Sequence, residues 1–297
     1  MKAISIILVT YNSGEHLESC LDSVFAQDFK DYEVIVVDNA SADNTKLILK
    51  KYPNVELIEN QKNYGLSKAL NQGIILSNGR YILCLNDDTE LKNSFLSNAF
   101  KAIESKDSIG AVQPKVLKPD GKYIDTAGIY LSFLRRFFDI GKGRIDAGEF
   151  NREKYIFGAC AAAALYKKEA LETIKQGKEY FDEDFFYLVE DVDLAWRMQR
   201  RGWRTLYFPD AICLHIGGVS RSKNKFIQYL SMRNRYLMLI KNESLWGFLW
   251  FPIIFIFYDL WRNLFMLVTN PGYFLKASFE VAKLSPKMLK KRAQIIV

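Results

Sequence analysis

The sequence predicts an α/β fold in which a mostly parallel central sheet is flanked by helices and followed by a C-terminal helical appendage. From Ile4 to Leu85, apolar strand-like runs alternate with segments of helical periodicity. Such alternation is typical of parallel sheets that helices cover on both faces. From Phe226 onward the pattern is helical and aromatic instead. We therefore divide the chain into an α/β domain over residues 1–220 and a helical segment over residues 221–297.

The elements of the first domain can be placed in order. The opening apolar run, Ile4–Val9, is short and lacks a small-residue cleavage site, so we interpret it as strand one and not as an export signal. A helix from about Glu15 follows, because its apolar residues recur at helical spacing. The next predicted elements are a strand at 33–37, a helix at 44–51, a strand at 55–58, a helix at 66–76, a strand at 80–85 and a helix at 92–102.

Polar side chains follow three of these strands. The three groups are Thr10-Tyr11-Asn12, Asp38-Asn39 and Asn86-Asp87-Asp88. Right-handed crossovers place such loops at one edge of the sheet, where α/β proteins bind ligands. Asp87 and Asp88 repel each other unless a cation lies between them, and hard oxygen ligands suit Mg²⁺ or Mn²⁺ shared with substrate phosphates. The alternative is a solvated turn in which Asp88 or Thr89 caps the next helix.

The usual glycine-rich phosphate loops are absent. No Gly-x-Gly-x-x-Gly follows the first strand, and no Gly-x-x-x-x-Gly-Lys-Ser/Thr occurs in the sequence. A bound diphosphate would therefore need another counterion, which a metal held by Asp88 would supply. With only two histidines and four scattered cysteines, the sequence argues against a zinc site and favours a reducing compartment.

A second acidic group lies near residue 190. Glu190, Asp191 and Asp193 precede a helical period, so they stand at a helix N-terminus, where the dipole favours negative charge. Three acids in four residues exceed what capping requires.

The C-terminal segment combines apolar, aromatic and basic residues. Leu245–Tyr258 contains no charge over 14 residues, which is shorter than the roughly 20 residues that a bilayer crossing needs. Residues 221–297 hold 13 basic and 3 acidic side chains, whereas residues 1–220 hold 28 and 31. We expect an interfacial helix on an anionic membrane. Its aromatic and basic residues are Trp246, Trp250, Tyr258, Trp261, Lys283, Lys287, Lys290, Lys291 and Arg292. Packing on the α/β domain, or on a second subunit in a homodimer, stays open.

In these residues the chain resembles the family 2 glycosyltransferases of the GT-A fold, particularly their bacterial rhamnosyltransferase-like branch. The resemblance covers about residues 3–220. It rests on an ordered set of stretches: Val9-Thr10-Tyr11-Asn12, the run from Val36 to Asp43, the run from Asn63 to Gly73, Leu85-Asn86-Asp87-Asp88, the run from Glu190 to Arg197, and the run from His215 to Ser220.

The resemblance implies a role for each matched residue. Asp38 would bind the nucleobase, and Thr10, Tyr11 and Asn12 would line the same pocket. The positions expected around the nucleotide and its sugar are Asn63, Gly65, Asn71, Asn86 and Asp87. Asp88 would bind the metal, with His215 close to it and to the diphosphate. Asp191 would be the catalytic base. The acceptor side would hold Glu190, Asp193, Trp196 and Arg197, although Glu190 and Asp193 could instead orient Asp191, and Trp196 and Arg197 could simply pack the helix.

These expectations describe an inverting transferase that uses Mg²⁺ or Mn²⁺. Its donor would be a nucleotide-diphosphate sugar, dTDP-rhamnose being favoured and UDP-sugars being a second choice. Its acceptor would be a saccharide or a lipid-linked saccharide at the cytoplasmic face of the cell membrane. Two alternatives remain: a sugar-phosphate nucleotidyltransferase, and a non-catalytic module that binds nucleic acid through the basic segment. The spread of the basic residues among apolar ones fits lipid better than nucleic acid, so no nucleic-acid partner is expected.

Overall fold

The computed structural model describes residues 2–217 and 224–294, and of Leu245 only the backbone. At the middle of the sheet, β1 (Ile4–Thr10) runs parallel to β2 (Tyr32–Asp38) on one side and to β4 (Tyr81–Asn86) on the other. The strand β3 (Val55–Glu59) continues the parallel part beyond β2. The connecting helices are α1 (Leu17–Phe25), α2 (Thr45–Leu49) and α3 (Leu66–Leu76). The predicted mostly parallel α/β sheet is confirmed.

The second half of the sheet is mixed. Its strands are β5 (Thr89–Leu91), β6 (Ile109–Leu117), β7 (Ile124–Thr126), β10 (Lys154–Ile156), β11 (Ala163–Lys167) and β12 (Arg204–His215), while β8 (Ile129–Leu131) and β9 (Phe137–Asp139) form a separate hairpin. Antiparallel β11 joins β4 to β6, and β12 runs parallel to β6. The short β5 pairs with the end of β12, which is the pairing that builds the site described below.

Helices cover both faces of the sheet, which explains why its strands are apolar on both sides. Ile6 and Leu8 of β1 pack toward α1 and toward α4 (Phe95–Glu104), whereas Ile7 packs on the opposite side with Leu70 of α3. That opposite layer also includes α5 (Lys168–Ile174) and α6 (Glu190–Arg200), and a short 3₁₀ turn (Glu183–Phe185) precedes α6.

The turn that follows β4 differs from the capping alternative. Residues 89–91 extend into β5, so the next helix begins at Phe95 with Ser94 at its N-cap position. Neither Asp88 nor Thr89 caps a helix, because both belong to the connection between β4 and β5. The carboxylates after β4 are therefore left for another role.

The C-terminal segment is helical, as predicted. It contains α7 (Lys225–Asn242), α8 (Leu245–Phe248), α9 (Phe251–Ile254), a π-helical turn (Phe255–Asp259), α10 (Leu260–Thr269) and α11 (Pro271–Ala293). Among the described residues, one helical stretch, Phe251–Thr269, has the length and apolar composition of a membrane span, and little of it is buried in protein. It is longer than the uncharged run in the sequence because it includes Asp259 and Arg262.

Part of the predicted basic surface serves the interior instead. Lys291 and Arg292 are buried, and the Lys291 ammonium lies 2.5 Å from Asp182, 2.9 Å from Asp184 and 2.9 Å from Glu179. Lys287 pairs with Asp184 at 2.7 Å. The expectation that Lys291 and Arg292 face a membrane is therefore wrong: Lys291 attaches α11 to the segment before α6, and Arg292 donates to the Ile240 carbonyl of α7 (3.4 Å).

Candidate active site

The loops after β1 and β2 meet at the edge where the strands end. Asp38 is buried, and its carboxylate accepts hydrogen bonds from the Thr10 hydroxyl (3.0 Å) and from the Ser41 backbone N–H (3.2 Å). The Asn12 backbone N–H in turn donates to the Ser41 hydroxyl (2.9 Å). The structure thus brings together the residues expected at the nucleobase, and it fixes Asp38 by bonds that a sequence cannot show.

These loops also contain backbone conformations that non-glycine residues rarely adopt. Asn12 has a φ of 55° and Ala40 a φ of 66°, and such residues concentrate at functional sites. The Asn12 side-chain oxygen accepts a bond from the Ala42 N–H (2.8 Å), which holds the two loops together. The ring of Tyr11 is left exposed beside them, where it is free to contact a ligand.

The Asp88 carboxylate lies against His215 because β5 pairs with the end of β12. The distance from Asp88 Oδ1 to His215 Nε2 is 3.2 Å, and Asp125 Oδ2 lies 2.7 Å from His215 Nδ1. Burial alone would lower the pKa of His215, but its bonds to the two carboxylates outweigh burial and raise that pKa to about 9. Burial would raise the pKa of Asp88, and the bond to His215 outweighs it, so that the pKa of Asp88 is lowered.

The donor set fits a divalent ion. Asp88 offers carboxylate oxygens, and His215 would offer Nε2 once a bound cation displaces the proton there, while the bond from Nδ1 to Asp125 sets the ring orientation in the way that metal-bound histidines are commonly held. The Asn86 amide nitrogen lies 3.3 Å from the same Nε2. Within residues 2–217 and 224–294, no group of three or more His, Cys, Asp or Glu side chains has a complete metal-holding arrangement. Two protein ligands leave the other coordination positions to substrate oxygens, as is common for Mg²⁺.

Asp87 turns to the loop after β1 and not to His215. The Ser13 hydroxyl donates to Asp87 Oδ2. Burial raises the pKa of Asp87 to about 6, and the charge of Asp88 adds to that increase. The two adjacent carboxylates therefore differ, and Asp88 is the one that lies against His215.

Asp191 stands in the first turn of α6, close to the turn after β4. Its carboxylate accepts bonds from the Val192 N–H (2.8 Å) and the Ala161 N–H (3.4 Å). The adjoining Ala162 carbonyl accepts a bond from the Asn86 N–H (2.9 Å). Consecutive residues before β11 thus connect the carboxylate at α6 to the strand end that carries Asp88.

The environment of Asp191 suits proton transfer near neutral pH. Burial raises the pKa of Asp191 to about 6, and the charge of Asp139 contributes to the increase. Glu190 is 4% exposed, its Oε2 has no hydrogen-bond partner, and burial together with the charge of Asp191 raises its pKa to about 8. Glu190 is therefore shifted toward its neutral form and buried, which corrects its expected contact with an acceptor.

Two further residues expected on the acceptor side belong to the interior. Asp193 is fully buried and pairs with Arg197 and with Lys241, each at 2.9 Å. Arg197 is also buried and donates to the Ile174 and Tyr180 carbonyls. Both expectations are wrong because helical periodicity turns these positions away from the sheet edge. Trp196 is largely buried against Phe157, with ring centroids 6.2 Å apart.

Of the residues expected around the nucleotide and its sugar, Asn63 and Gly65 shape the loop before α3, whereas Asn71 bonds to another segment. Asn63 accepts a bond from the Gly65 N–H (2.8 Å), and Gly65 has a φ of 86° with Phe186 so close that a Cβ atom would lie 2.5 Å from it. Asn71 is buried, and its amide bonds the backbone of Tyr180 and Phe181. Asn71 therefore ties α3 to the segment before α6, which corrects its expected place beside the donor.

Sequence reasoning missed Asp125, Ser13 and Ser41. Asp125 lies in the middle region, whose short strands carry no clear periodicity, although an isolated acid next to strand-like residues was visible there. The matched stretch at residues 218–220, and the domain boundary at 220, lie outside the described residues.

Comparison with known proteins identifies the family. The family model described as glycosyl transferase family 2 matches residues 5–175, which is more than half of the 297 residues. The chain belongs to glycosyl transferase family 2. The expected family is therefore confirmed, and the matched region contains the loops after β1, β2 and β4.

A curated relative matches the chain in sequence, and two solved glycosyltransferase structures agree with its fold. The poly-β-1,6-N-acetyl-D-glucosamine synthase of Staphylococcus aureus (strain COL) is 29% identical over 221 residues, which are 72% of this chain and 50% of that protein. The chain thus spans about half the length of the curated relatives it matches. The mannosyltransferase PcManGT of Pyrobaculum calidifontis, solved with GDP-Man and Mn²⁺, has a TM-score of 0.58 at 18% identity, over 99% of this chain and 84% of that chain. TarS of S. aureus has a TM-score of 0.61 at 19% identity, over 100% and 53%.

Proposed function

We propose that this protein is a metal-dependent, inverting glycosyltransferase that moves a sugar from a nucleotide-diphosphate donor to a saccharide acceptor. The observation that carries the proposal is the connection through Ala161 and Ala162, because it places the Asp191 carboxylate beside the strand end that bears Asp88. A base and a site for the diphosphate charge are thus neighbours, which is what displacement at an anomeric carbon requires.

Each residue has a definite task in this reaction. Asp38, fixed by Thr10 and Ser41, accepts a hydrogen bond from the nucleobase, and the exposed Tyr11 ring lies beside it. Asp88 and His215 would hold Mg²⁺ or Mn²⁺, which would neutralise charge on the leaving diphosphate. Asp191 takes the proton from the acceptor hydroxyl as that oxygen attacks the anomeric carbon from the face opposite the leaving group.

The relatives change the order of preferred donors. The resemblance to the rhamnosyltransferase-like branch favours rhamnose, but the curated relative is named as a poly-β-1,6-N-acetyl-D-glucosamine synthase. We therefore propose a UDP-linked N-acetylhexosamine as the first donor to test and dTDP-rhamnose as the second. Neither a nucleotidyltransferase nor a nucleic-acid-binding module is proposed, because family membership supports sugar transfer.

We expect that nucleotide release from the preferred donor requires a divalent cation and Asp88. Asp88→Asn keeps the size of the side chain but removes its charge, so we expect turnover to fall by about a hundredfold or more. The assay measures nucleotide release from UDP-N-acetylglucosamine, dTDP-rhamnose and GDP-mannose, with Mn²⁺, with Mg²⁺ and with EDTA. Asp120→Asn, an exposed loop carboxylate, is the matched control. Full turnover in EDTA, or in the Asp88 variant, would contradict the metal site.

The exposed apolar side chains of the C-terminal segment support membrane association. Trp246, Phe257 and Trp261 are 79%, 69% and 66% exposed, and large apolar surfaces of this kind mark interaction sites. Aromatic residues are favoured at headgroup depth. We propose that this surface rests on the anionic inner face of the cell membrane, which would bring a lipid-linked acceptor to the enzyme.

Buried polar contacts on the opposite side of the helical stretch Phe251–Thr269 favour an orientation of that stretch in the membrane plane. Asp259 is fully buried and pairs with Arg235 of α7 at 2.6 Å, and Arg235 also donates to the Leu134 carbonyl (3.1 Å). The Asn263 amide donates to the Tyr236 hydroxyl (2.7 Å). One side of the helix is thus attached to the rest of the protein, so only its other side is available to lipid.

We expect the protein to float with vesicles that contain anionic lipid, and to lose this binding when Phe257 and Trp261 are both changed to Glu. The two substitutions place charge in the apolar surface, which costs membrane affinity. The matched control is Leu47→Glu, an exposed leucine on the α/β domain. If the double variant floats as well as the wild type, the surface has another occupant. Loss of a dimer in the double variant would identify that occupant as a second subunit.

A further inference from the structure

The segment that leads into α6 holds three non-glycine residues in the left-handed region. Phe186, Leu188 and Val189 have φ values of 65°, 70° and 74°. Such conformations persist only where the surroundings hold them, and a β-branched residue tolerates them poorly. Val189 is the N-cap residue of α6, and its carbonyl accepts the bond from the Asp193 N–H (2.9 Å). The start of the helix that carries Asp191 therefore depends on a strained segment.

Two consecutive residues of α7 hold this segment. The Asn234 amide nitrogen lies 2.9, 2.8 and 2.8 Å from the carbonyl oxygens of Phe185, Tyr187 and Leu188. Arg233 donates to the Asn234 side-chain oxygen (3.0 Å) and to the Phe185 carbonyl (3.2 Å). Asn234 is fully buried, so water cannot replace these bonds. We call Arg233 and Asn234 the α7 clamp.

We propose that Asn234 is a positioning residue for the reaction: by holding the carbonyls of residues 185, 187 and 188 it fixes the strained start of α6 and thereby the place of the Asp191 carboxylate. This inference rests on the proposed function, in which Asp191 is the base. It also gives the C-terminal helices a part in the chemistry, because the clamp lies on α7, outside the α/β domain.

The contacts of Asp191 explain why a small movement would matter. Its carboxylate has backbone donors from Val192 and, at a longer 3.4 Å, from Ala161. The bond to Ala161 joins the start of α6 to the residues before β11, and a shift of the helix start would break it. Displacement of a reacting group by about 1 Å costs on the order of a hundredfold in rate.

The test compares Asn234→Ala, Asn234→Ser and Asn242→Ala. Asn242 is a matched control, because it is also a fully buried asparagine of α7 but donates to Asp193 and Met238 instead of the strained segment. With the donor that gives turnover, we expect Asn234→Ala to lower kcat by about a hundredfold while the donor KM stays within about twofold. Asn234→Ser keeps one hydrogen-bond donor, so its kcat should lie between those of the wild type and Asn234→Ala. It provides the test if the alanine variant does not fold.

Two measurements distinguish a positioning role of Asn234 from a purely structural role. Amide hydrogen exchange in the peptide covering residues 185–192 should become at least about tenfold faster in the Asn234 variants and stay unchanged in Asn242→Ala. The acidic limb of the kcat–pH profile should move to lower pH, because a displaced Asp191 is less buried and its pKa falls toward the ordinary value. Unchanged exchange, or a kcat that falls equally in Asn242→Ala, would overturn the proposal. An active Asp191→Asn variant would instead overturn the proposed function.

Discussion

Replacing Asp191 with Asn is expected to lower kcat by about 10³-fold, since a positioned general base contributes about 10²- to 10⁴-fold. Asn has the same shape but cannot take the proton of the acceptor hydroxyl. The proposed donor site lies on the loops after β1, β2 and β4, so donor affinity should not change. The measurements are steady-state turnover and donor binding by titration calorimetry. Retention of more than about a tenth of the wild-type kcat would remove Asp191 from the role of base.

A second variant tests whether the environment of this carboxylate sets its working pH. Asp139→Asn keeps Asp191 and removes the neighbouring charge that helps to raise its pKa to about 6. A base works when deprotonated, so activity should rise with pH through that value in the wild type. In Asp139→Asn the rise should occur at lower pH with little change in maximal kcat. A rise that stays at the wild-type pH would show that another group limits the reaction.

Replacing Lys241 with Met is expected to lower the free energy of unfolding by about 3 kcal/mol, the lower end of the range for breaking a buried ion pair. Lys241 is fully buried and lies 2.7 Å from Asp182 and 2.9 Å from Asp193. Its loss leaves part of two buried charges uncompensated, although Lys291 still pairs with Asp182 and Arg197 with Asp193. Urea unfolding with linear extrapolation measures the change.

The control for that variant is an ion pair with the same separation at the surface. Lys51 lies 2.7 Å from Glu18 with both side chains exposed, and Lys51→Met should cost less than about 1 kcal/mol. Burial alone would raise the pKa of Asp182, but Lys241 and Lys291 hold it well below its usual range. The stabilisation is therefore complete above the unfolded pKa of about 4 and is lost only as the pH falls further. Equal losses in the two lysine variants would show that burial does not decide the effect.

Much of the architecture could be predicted from local sequence. The helix at 66–76 has the predicted bounds, and the strands that begin at Ile4 and Val55 were recognised because short apolar runs between polar loops have few other structures. The strand β5 was not predicted. Three residues carry no usable periodicity, and Thr89–Leu91 becomes a strand only because the end of β12 lies beside it.

Some residues of the candidate site were predicted from the sequence and others were not, because contacts between distant positions have no local sequence signal. Asp88 and His215 are 127 positions apart in the sequence, and their 3.2 Å contact depends on the pairing of β5 with β12. Asp125, which orients His215, was missed because an acid in an irregular region has no local signature. The acids after Val189 were recognised together, yet periodicity alone did not show that Asp193 turns into the protein while Asp191 faces the sheet edge.

By itself the sequence determined the family, the α/β architecture, the helical C-terminal segment and the acids that can carry the chemistry, because short-range patterns and ordered motifs encode these properties. Only the tertiary structure decided which acid faces the site, which cations of the C-terminal helices are buried, and that Asn234 holds the start of α6. Those properties depend on contacts between residues far apart in the chain. Burial and ion pairing, which such contacts create, also set the pKa values on which the proposed reaction depends.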